Sequence, residues 1–128
     1  MRYRLLTLAL LAGTAAANAA DCEVEVGSVM SLTGPAGQYG QAAAKSIELA
    51  FRDINQAGGV LDGCQLTFDL RDAQSQGTVA VDVAKQLVDI KQVPVIIGGI
   101  ISSVSVPIVT SVTGPANIVQ MSPASSSP

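Results

Sequence analysis

Gln92-Val93-Pro94-Val95-Ile96-Ile97-Gly98-Gly99-Ile100-Ile101-Ser102-Ser103 is the stretch that decides the fold. Val93 to Ile97 is an apolar run enriched in β-branched residues, which predicts a strand buried on both faces, as in a parallel sheet. Gly98 and Gly99 then open a loop to two serines. A short helix is predicted over Ser105 to Val112, with Pro107 in its first turn. Thr113-Gly114-Pro115 ends it, and Ile118 to Met121 is predicted as the next strand.

Upstream, the same alternation repeats. Glu23 to Met30 reads as a strand with Val24, Val26 and Val29 as its apolar positions. A loop follows over Ser31 to Gly40, because three glycines and a proline in ten residues argue against a regular element. Gln41 to Ala57 has Ile47, Ala50, Phe51 and Ile54 at helical spacing, and Gly58-Gly59 stops the helix. Gln65 to Arg71 alternates Leu66, Phe68 and Leu70 as a strand. Thr78 to Gln92 carries Val79, Val83, Leu87 and Ile90 as the stripe of a second helix. The βαβαβαβ order predicts an α/β fold: a parallel sheet, right-handed crossovers and helices on both faces. Ligands of such sheets bind outside the carboxyl ends of the strands. The loops after the first, third and fourth strands are therefore the place to look for chemistry.

Composition narrows the chemistry. The chain has 128 residues, of which 48% are apolar and 13% charged, with a net charge of −3. That length suits one domain. No basic stripe is present, and two Tyr, two Phe and no Trp offer little stacking surface, which argues against nucleic acid as a partner. There is no His to act as a base or metal ligand, and two Cys alone cannot complete a four-ligand zinc site. Gly34, Gly37 and Gly40 lack the spacing of a dinucleotide fingerprint, and Lys45-Ser46 lacks the glycine of a phosphate loop. No G-x-S-x-G elbow occurs. Asp69 and Asp72 read as solvated charges at a strand end. No catalytic constellation, cofactor motif or metal site emerges, so the chain is not read as an enzyme.

Residues 1–19 read as a secretory signal. Arg2 and Arg4 form a positive start, Leu5 to Ala12 an apolar core, and Ala17-Asn18-Ala19 a small-residue cleavage site. Cleavage near Ala19 leaves residues 20–128 as an exported and more acidic chain. Export into an oxidising compartment permits a disulfide. Cys22 and Cys64 each precede a predicted strand; if those strands are parallel neighbours, the two sulfurs lie at one end of the sheet and a bridge between them is feasible, two buried thiols being the other reading.

The remaining candidates are hydroxyls and backbone groups at loop tips. Ser102 and Ser103 lie between the third strand and a helix start, where free N–H groups suit a carboxylate. Ser126 follows the fourth strand in the same layer, and Tyr39 on the first loop could wall the same pocket. On spacing alone, helix capping for Ser102 and Ser103 and a polar tail for Ser125 to Ser127 are slightly the better account, and surface packing is the other reading of Tyr39.

Five stretches tip that balance: Ser31-Leu32-Thr33-Gly34-Pro35 with Gln38-Tyr39-Gly40; Asp53-Ile54-Asn55 with Gly58-Gly59-Val60; Asp69 to Asp72; Ile97-Gly98-Gly99 with Ser102-Ser103; and Ser122-Pro123-Ala124. In order and spacing they resemble the N-terminal part of periplasmic branched-chain amino-acid-binding proteins, the substrate-binding subunits of ABC importers. The resemblance covers residues 23–128 and implies the first part of lobe one of a two-lobe fold that closes on its ligand. It implies that Ser102 donates to a ligand carboxylate, that Ser126 adds a hydroxyl and an amide, that the Ala124 carbonyl accepts from the ligand ammonium, and that Tyr39 covers the ligand. It further implies an ABC permease in the inner membrane as partner, with no cofactor. Leucine-binding relatives form a disulfide from the residue before the pocket serine; here that residue is Ile101, so the bridge moves to Cys22–Cys64 or is absent. Related binders take aromatic acids, amides or urea, and sensory receptor ectodomains share the fold. A Rossmann-type enzyme is the remaining rival reading.

Overall fold

The computed structural model describes residues 22–126. The leader assigned to residues 1–19 lies outside them. Four strands form one parallel sheet in the order β2-β1-β3-β4, with β1 at Glu23–Met30, β2 at Gln65–Asp72, β3 at Val95–Gly98 and β4 at Val119–Met121. Helix α1 spans Gly37–Gln56, α2 Gly77–Lys85 and α3 Ser102–Ile108. The predicted α/β architecture is present, and each strand begins within two residues of its expected start. Wider, π-type turns continue α2 over Gln86–Ile90 and α3 over Val109–Thr113.

The pleat sorts side chains to two faces. On one face Val29 and Ile96 pack with Leu87, Ala80 and Ala84 from the α2 segment and with Val104, Ile108 and Val112 from the α3 segment. On the other, Met30, Ile97 and Leu70 meet Ala43 and Ile47 of α1, with Ala36, Ile100 and Ile101 from the loops. Met30, Leu87, Ile96 and Ile108 are fully buried; each contributes about 1.5–3 kcal/mol of burial. The helices thus cover both faces, as the crossover rule requires.

Two helix starts differ from expectation. Helix α1 begins at Gly37, four residues before the predicted Gln41. Gly40, expected in a loop, lies in its first turn because the helix crosses the end of β1 at backbone distance: a Cβ there would sit 1.9 Å from the Ser31 carbonyl oxygen. The glycine is a packing requirement that resembles a loop signal in the sequence. Helix α3 begins at Ser102, three residues before the predicted Ser105, so Pro107 is its sixth residue. Tertiary contact with α2 holds this helix despite the missing N–H. Both serines of the expected loop are thereby first-turn residues.

Cys22 and Cys64 form a disulfide with Cα atoms 4.5 Å apart. Parallel pairing explains it: Glu23 lies opposite Gln65, and the Gln65 N–H donates to the Cys22 carbonyl at 2.8 Å. The two cysteines precede these paired residues and meet at one end of the sheet.

Candidate functional site

The opposite end of the sheet, where all four strands finish, gathers the loops expected to carry chemistry. After β3 the chain turns at Gly99, whose φ is +53° and whose Cβ, were there one, would sit 2.4 Å from the Ser105 Cα. Only glycine lets the turn run under the first turn of α3. Ile101 is extended, with φ −127° and ψ 150°, and serves as the helix boundary. Ser102 and Ser105 then stand three residues apart on one helix face.

After β4 the chain folds back onto that face. The Ser122 hydroxyl donates to the Gly99 carbonyl at 2.5 Å and accepts the Ser125 N–H at 3.0 Å. These bonds bring the Ser125 hydroxyl between two others. It accepts from the Ser105 hydroxyl at 2.6 Å and donates to the Ser102 hydroxyl at 3.1 Å. Beneath them, Gln120 of β4 donates through Nε2 to the carbonyls of Ser105 at 3.1 Å and Gly98 at 3.3 Å. Its Oε1 accepts from the buried Thr113 hydroxyl at 2.7 Å. One amide side chain therefore joins β3, α3 and β4 behind the hydroxyl chain.

Next to this chain, on the α1 side, is an open cavity of about 460 Å³ lined by Tyr39, Ala42, Ala43, Ser46, Ile100, Ile101 and Ala124. Its walls are mainly apolar, with the Tyr39 and Ser46 hydroxyls as polar exceptions. Tyr39 projects from the first turn of α1 rather than from a loop, and is 70% exposed.

The sequence candidates fall into three groups. Tyr39 and Ala124 share the cavity. Ser102 belongs to the hydroxyl chain beside it. Ser103 and Ser126 are exposed and stand outside that chain. The residues that link the two loops, Ser105, Ser122, Ser125 and Gln120, were not singled out as site residues. Spacing held part of the signal, since Ser102 and Ser105 fall three apart and so do Ser122 and Ser125.

Asp69 and Asp72 are a correction: neither is a freely solvated strand-end charge. Asp69 is half-buried and accepts from Arg71 Nε at 2.6 Å, with Lys91 Nζ 3.6 Å away. The Arg71 hydrogen bond lowers its pKa against the opposing effect of burial. Asp72 collects bonds from the first loop. Burial acts to raise its pKa, but the Thr33 hydroxyl and the amides of Gln74, Leu32 and Thr33 together outweigh it and lower the value.

A parallel sheet whose C-terminal loops converge beside an open apolar cleft is the layout of a small-molecule-binding α/β lobe. Residues 23–128 match the family described as periplasmic binding protein, and the chain belongs to it. It is 27% identical over its whole length to the Leu/Ile/Val-binding protein BraC3 of Rhizobium johnstonii, of which it covers 34%. It is 29% identical, over 98% of its length, to the leucine-, isoleucine-, valine-, threonine- and alanine-binding protein of Pseudomonas aeruginosa, covering 33% of it. The chain thus spans about a third of these curated relatives. Among solved structures, the branched-chain amino-acid transporter substrate-binding protein LivJ of Streptococcus pneumoniae, in complex with isoleucine, superimposes with a TM-score of 0.78 at 28% identity. That match covers 82% of this chain and 30% of LivJ. The sheet and helices described above are therefore part of one lobe of that fold.

Proposed function

We propose that this chain forms the first wall of the ligand site in an ABC-importer substrate-binding protein that captures a branched-chain or other small amino acid in the periplasm. The observation that carries the reading is the convergence of the α3 first turn and the Ser122–Ser126 segment beside the Tyr39–Ala124 cavity. In this reading Ser102 donates to the ligand carboxylate, aided by hydroxyl and amide groups of the Ser125-Ser126 segment. The Ala124 carbonyl accepts from the ligand ammonium, and Tyr39 covers the apolar side chain. The mainly apolar lining of the cavity suits that side chain, and the neutral donors suit a carboxylate without recruiting a counter-charge.

Residues 1–19 direct export and are removed near Ala19, leaving residues 20–128 as the first part of the N-terminal lobe. The loaded protein then docks on a permease in the inner membrane, and no chemical step is performed on the ligand. Capture requires a facing wall, because closure excludes water and completes the contacts. The test therefore uses the full-length gene product. Titration calorimetry with leucine, isoleucine and valine should give a saturable isotherm. Replacing Ser102 and Ser126 together by Ala removes hydrogen bonds to a charged group, each worth about 1.5–3 kcal/mol, so affinity should fall at least tenfold. Equal affinity of parent and variant would overturn the reading.

A further inference from the structure

The loop from β1 to α1 holds its shape through residues some forty positions away. Asp72, the last residue of β2, accepts the Leu32 N–H at 2.9 Å and the Thr33 N–H at 3.2 Å on Oδ1, and the Thr33 hydroxyl at 2.7 Å on Oδ2. The same Oδ1 accepts the Gln74 N–H at 2.8 Å, which fixes the carboxylate against its own turn. Ser75 works beside it, donating to the Thr33 carbonyl at 2.8 Å and accepting the Ala36 N–H at 3.1 Å. Gln41 Nε2 donates back to the Leu32 carbonyl at 2.8 Å and so joins the loop to the second turn of α1. Helix α1 has no side-chain cap and no acidic residue in its first turn. Its start is placed by the loop, and the loop by Asp72 and Ser75. Tyr39, at the cavity rim, lies between Gly37 and Gln41 in this fastened segment.

We infer that Asp72 is a positioning residue for the ligand cleft: with Ser75 it latches Leu32 to Ala36 and, through Gln41, holds Tyr39 at the rim. The inference rests on the ligand-binding reading above. Asp72 does not line the cavity and acts only through the loop. A carboxylate is suited to the task, because charge-assisted hydrogen bonds are stronger and shorter than neutral ones. An unlatched loop would have to be ordered at the moment of binding, and affinity would fall accordingly.

The experiment compares Asp72→Asn, Thr33→Val and Thr33→Ser in the full-length gene product, with leucine and isoleucine as probes and amide hydrogen exchange as a second readout. Asp72→Asn should weaken binding about tenfold, the size of effect expected when a binding loop loses its preorganisation. It should also speed exchange at the Leu32, Thr33 and Ala36 amides while leaving Val29 and Ile96 protected. Thr33→Val, at an exposed position, should lose affinity several-fold by the same argument, and Thr33→Ser, which keeps the hydroxyl, should recover most of that loss. Parent-like affinity and exchange in Asp72→Asn would overturn the latch. If Asp72→Asn does not fold, the Thr33 pair decides: equal affinities for Val and Ser overturn it. If the parent binds neither amino acid, the branched-chain part of the ligand reading fails, and exchange alone decides: faster exchange at the loop upholds the latch, and unchanged exchange removes it.

Discussion

The two halves of the sheet are fastened by different chemistry. Strands β1 and β2 pair in register over all eight residues of each, from Glu23 opposite Gln65 to Met30 opposite Asp72. A disulfide closes one end of this pair and the Asp72 carboxylate organises the other. Asn55 adds a side-chain clamp, donating to the Leu66 carbonyl at 2.8 Å and accepting its N–H at 2.7 Å. The β3–β4 half is short: three residues pair, and Val119 and Met121 are more than half exposed. Its polar links are hydroxyls and one amide, and no charged residue occurs after Lys91. Covalent and charged fastenings hold the frame and, through Asp72, the loop before Tyr39, whereas the Ser102–Ser125 side of the proposed cleft is held by neutral groups. Neutral hydrogen bonds exchange partners at little net cost, which suits the proposed role of this surface in trading internal contacts for a ligand's.

Removing the disulfide should have the largest effect on stability. Cys22 and Cys64 close a separation of 42 residues, and the chain-entropy relation gives about 4 kcal/mol for a loop of that size. The Cys22→Ser, Cys64→Ser double variant should show that loss as a lower urea midpoint. Amide exchange should rise first in β1 and β2 and less in β3. Uniform loosening of all four strands would show that the two halves are one cooperative unit and remove the distinction.

Gln120→Leu comes next and acts on the other half. It leaves the buried Thr113 hydroxyl with only its long bond to the Ile108 carbonyl at 3.5 Å, and it takes a donor from the Gly98 and Ser105 carbonyls, the second of which keeps the Val109 N–H. A fully orphaned buried group costs about 1–3 kcal/mol; these groups keep part of their bonding, and water recovers more at a site open on one side. The expected loss is roughly 2 kcal/mol, concentrated in β4 and the first turn of α3. Ligand affinity should fall with it, because the Ser102–Ser125 geometry depends on where β4 lies.

The frame was legible in the sequence and the site only in part, for a physical reason. Strands announce themselves through local pattern: the alternation of Leu66, Phe68 and Leu70, and the β-branched run ending at Ile97, need no distant partner to be read. Parallel pairing of the first two strands then brought Cys22 to Cys64. By contrast, the Gly40 backbone contact with Ser31 and the Asp72 bonds to Leu32 and Thr33 are tertiary facts with no local signature. Three consecutive serines, Ser125 to Ser127, cannot be ranked by spacing; the turn held by Ser122 brings the Ser125 hydroxyl to Ser102. The resemblance to binding proteins drew attention to these loops, and the structure supplied the links between them.

Acid should separate the halves further. Asp69 and Asp72 both have folded pKa values below the ordinary 3.8. A lowered carboxylate contributes stability that is complete above its unfolded value and is lost as pH falls through the folded one. From pH 7 to about 4.5 the unfolding midpoint should therefore be insensitive to these two groups, and below 3.8 it should drop. The charge-free β3–β4 half has nothing of its own to titrate in that window. Exchange at pH 3 should thus rise at the Leu32, Thr33 and Gln74 amides before it rises at Ile97. The double variant Asp69→Asn, Asp72→Asn should start less stable and show a shallower acid arm. An acid arm of unchanged slope would assign the transition to other groups.

The smallest expected effect bears on what β1 gives up by lying between the halves. Ser28 is fully buried on the α1 face, opposite Leu70 of β2 and Ile97 of β3, and its hydroxyl has no hydrogen-bond partner among the described residues. A buried hydroxyl with no partner keeps its desolvation cost and gains nothing in return. Alanine fills nearly the same volume, so Ser28→Ala should raise stability by about 0.5–1 kcal/mol, read as a higher urea midpoint at unchanged slope. Ser31 has an equally unpartnered hydroxyl, but its backbone carries the close contact with Gly40. Ser31→Ala keeps that backbone and should gain no more than Ser28→Ala. If Ser28→Ala instead destabilises, the hydroxyl has a partner that stiffens the central strand, and the asymmetry between the two halves would begin in β1 itself.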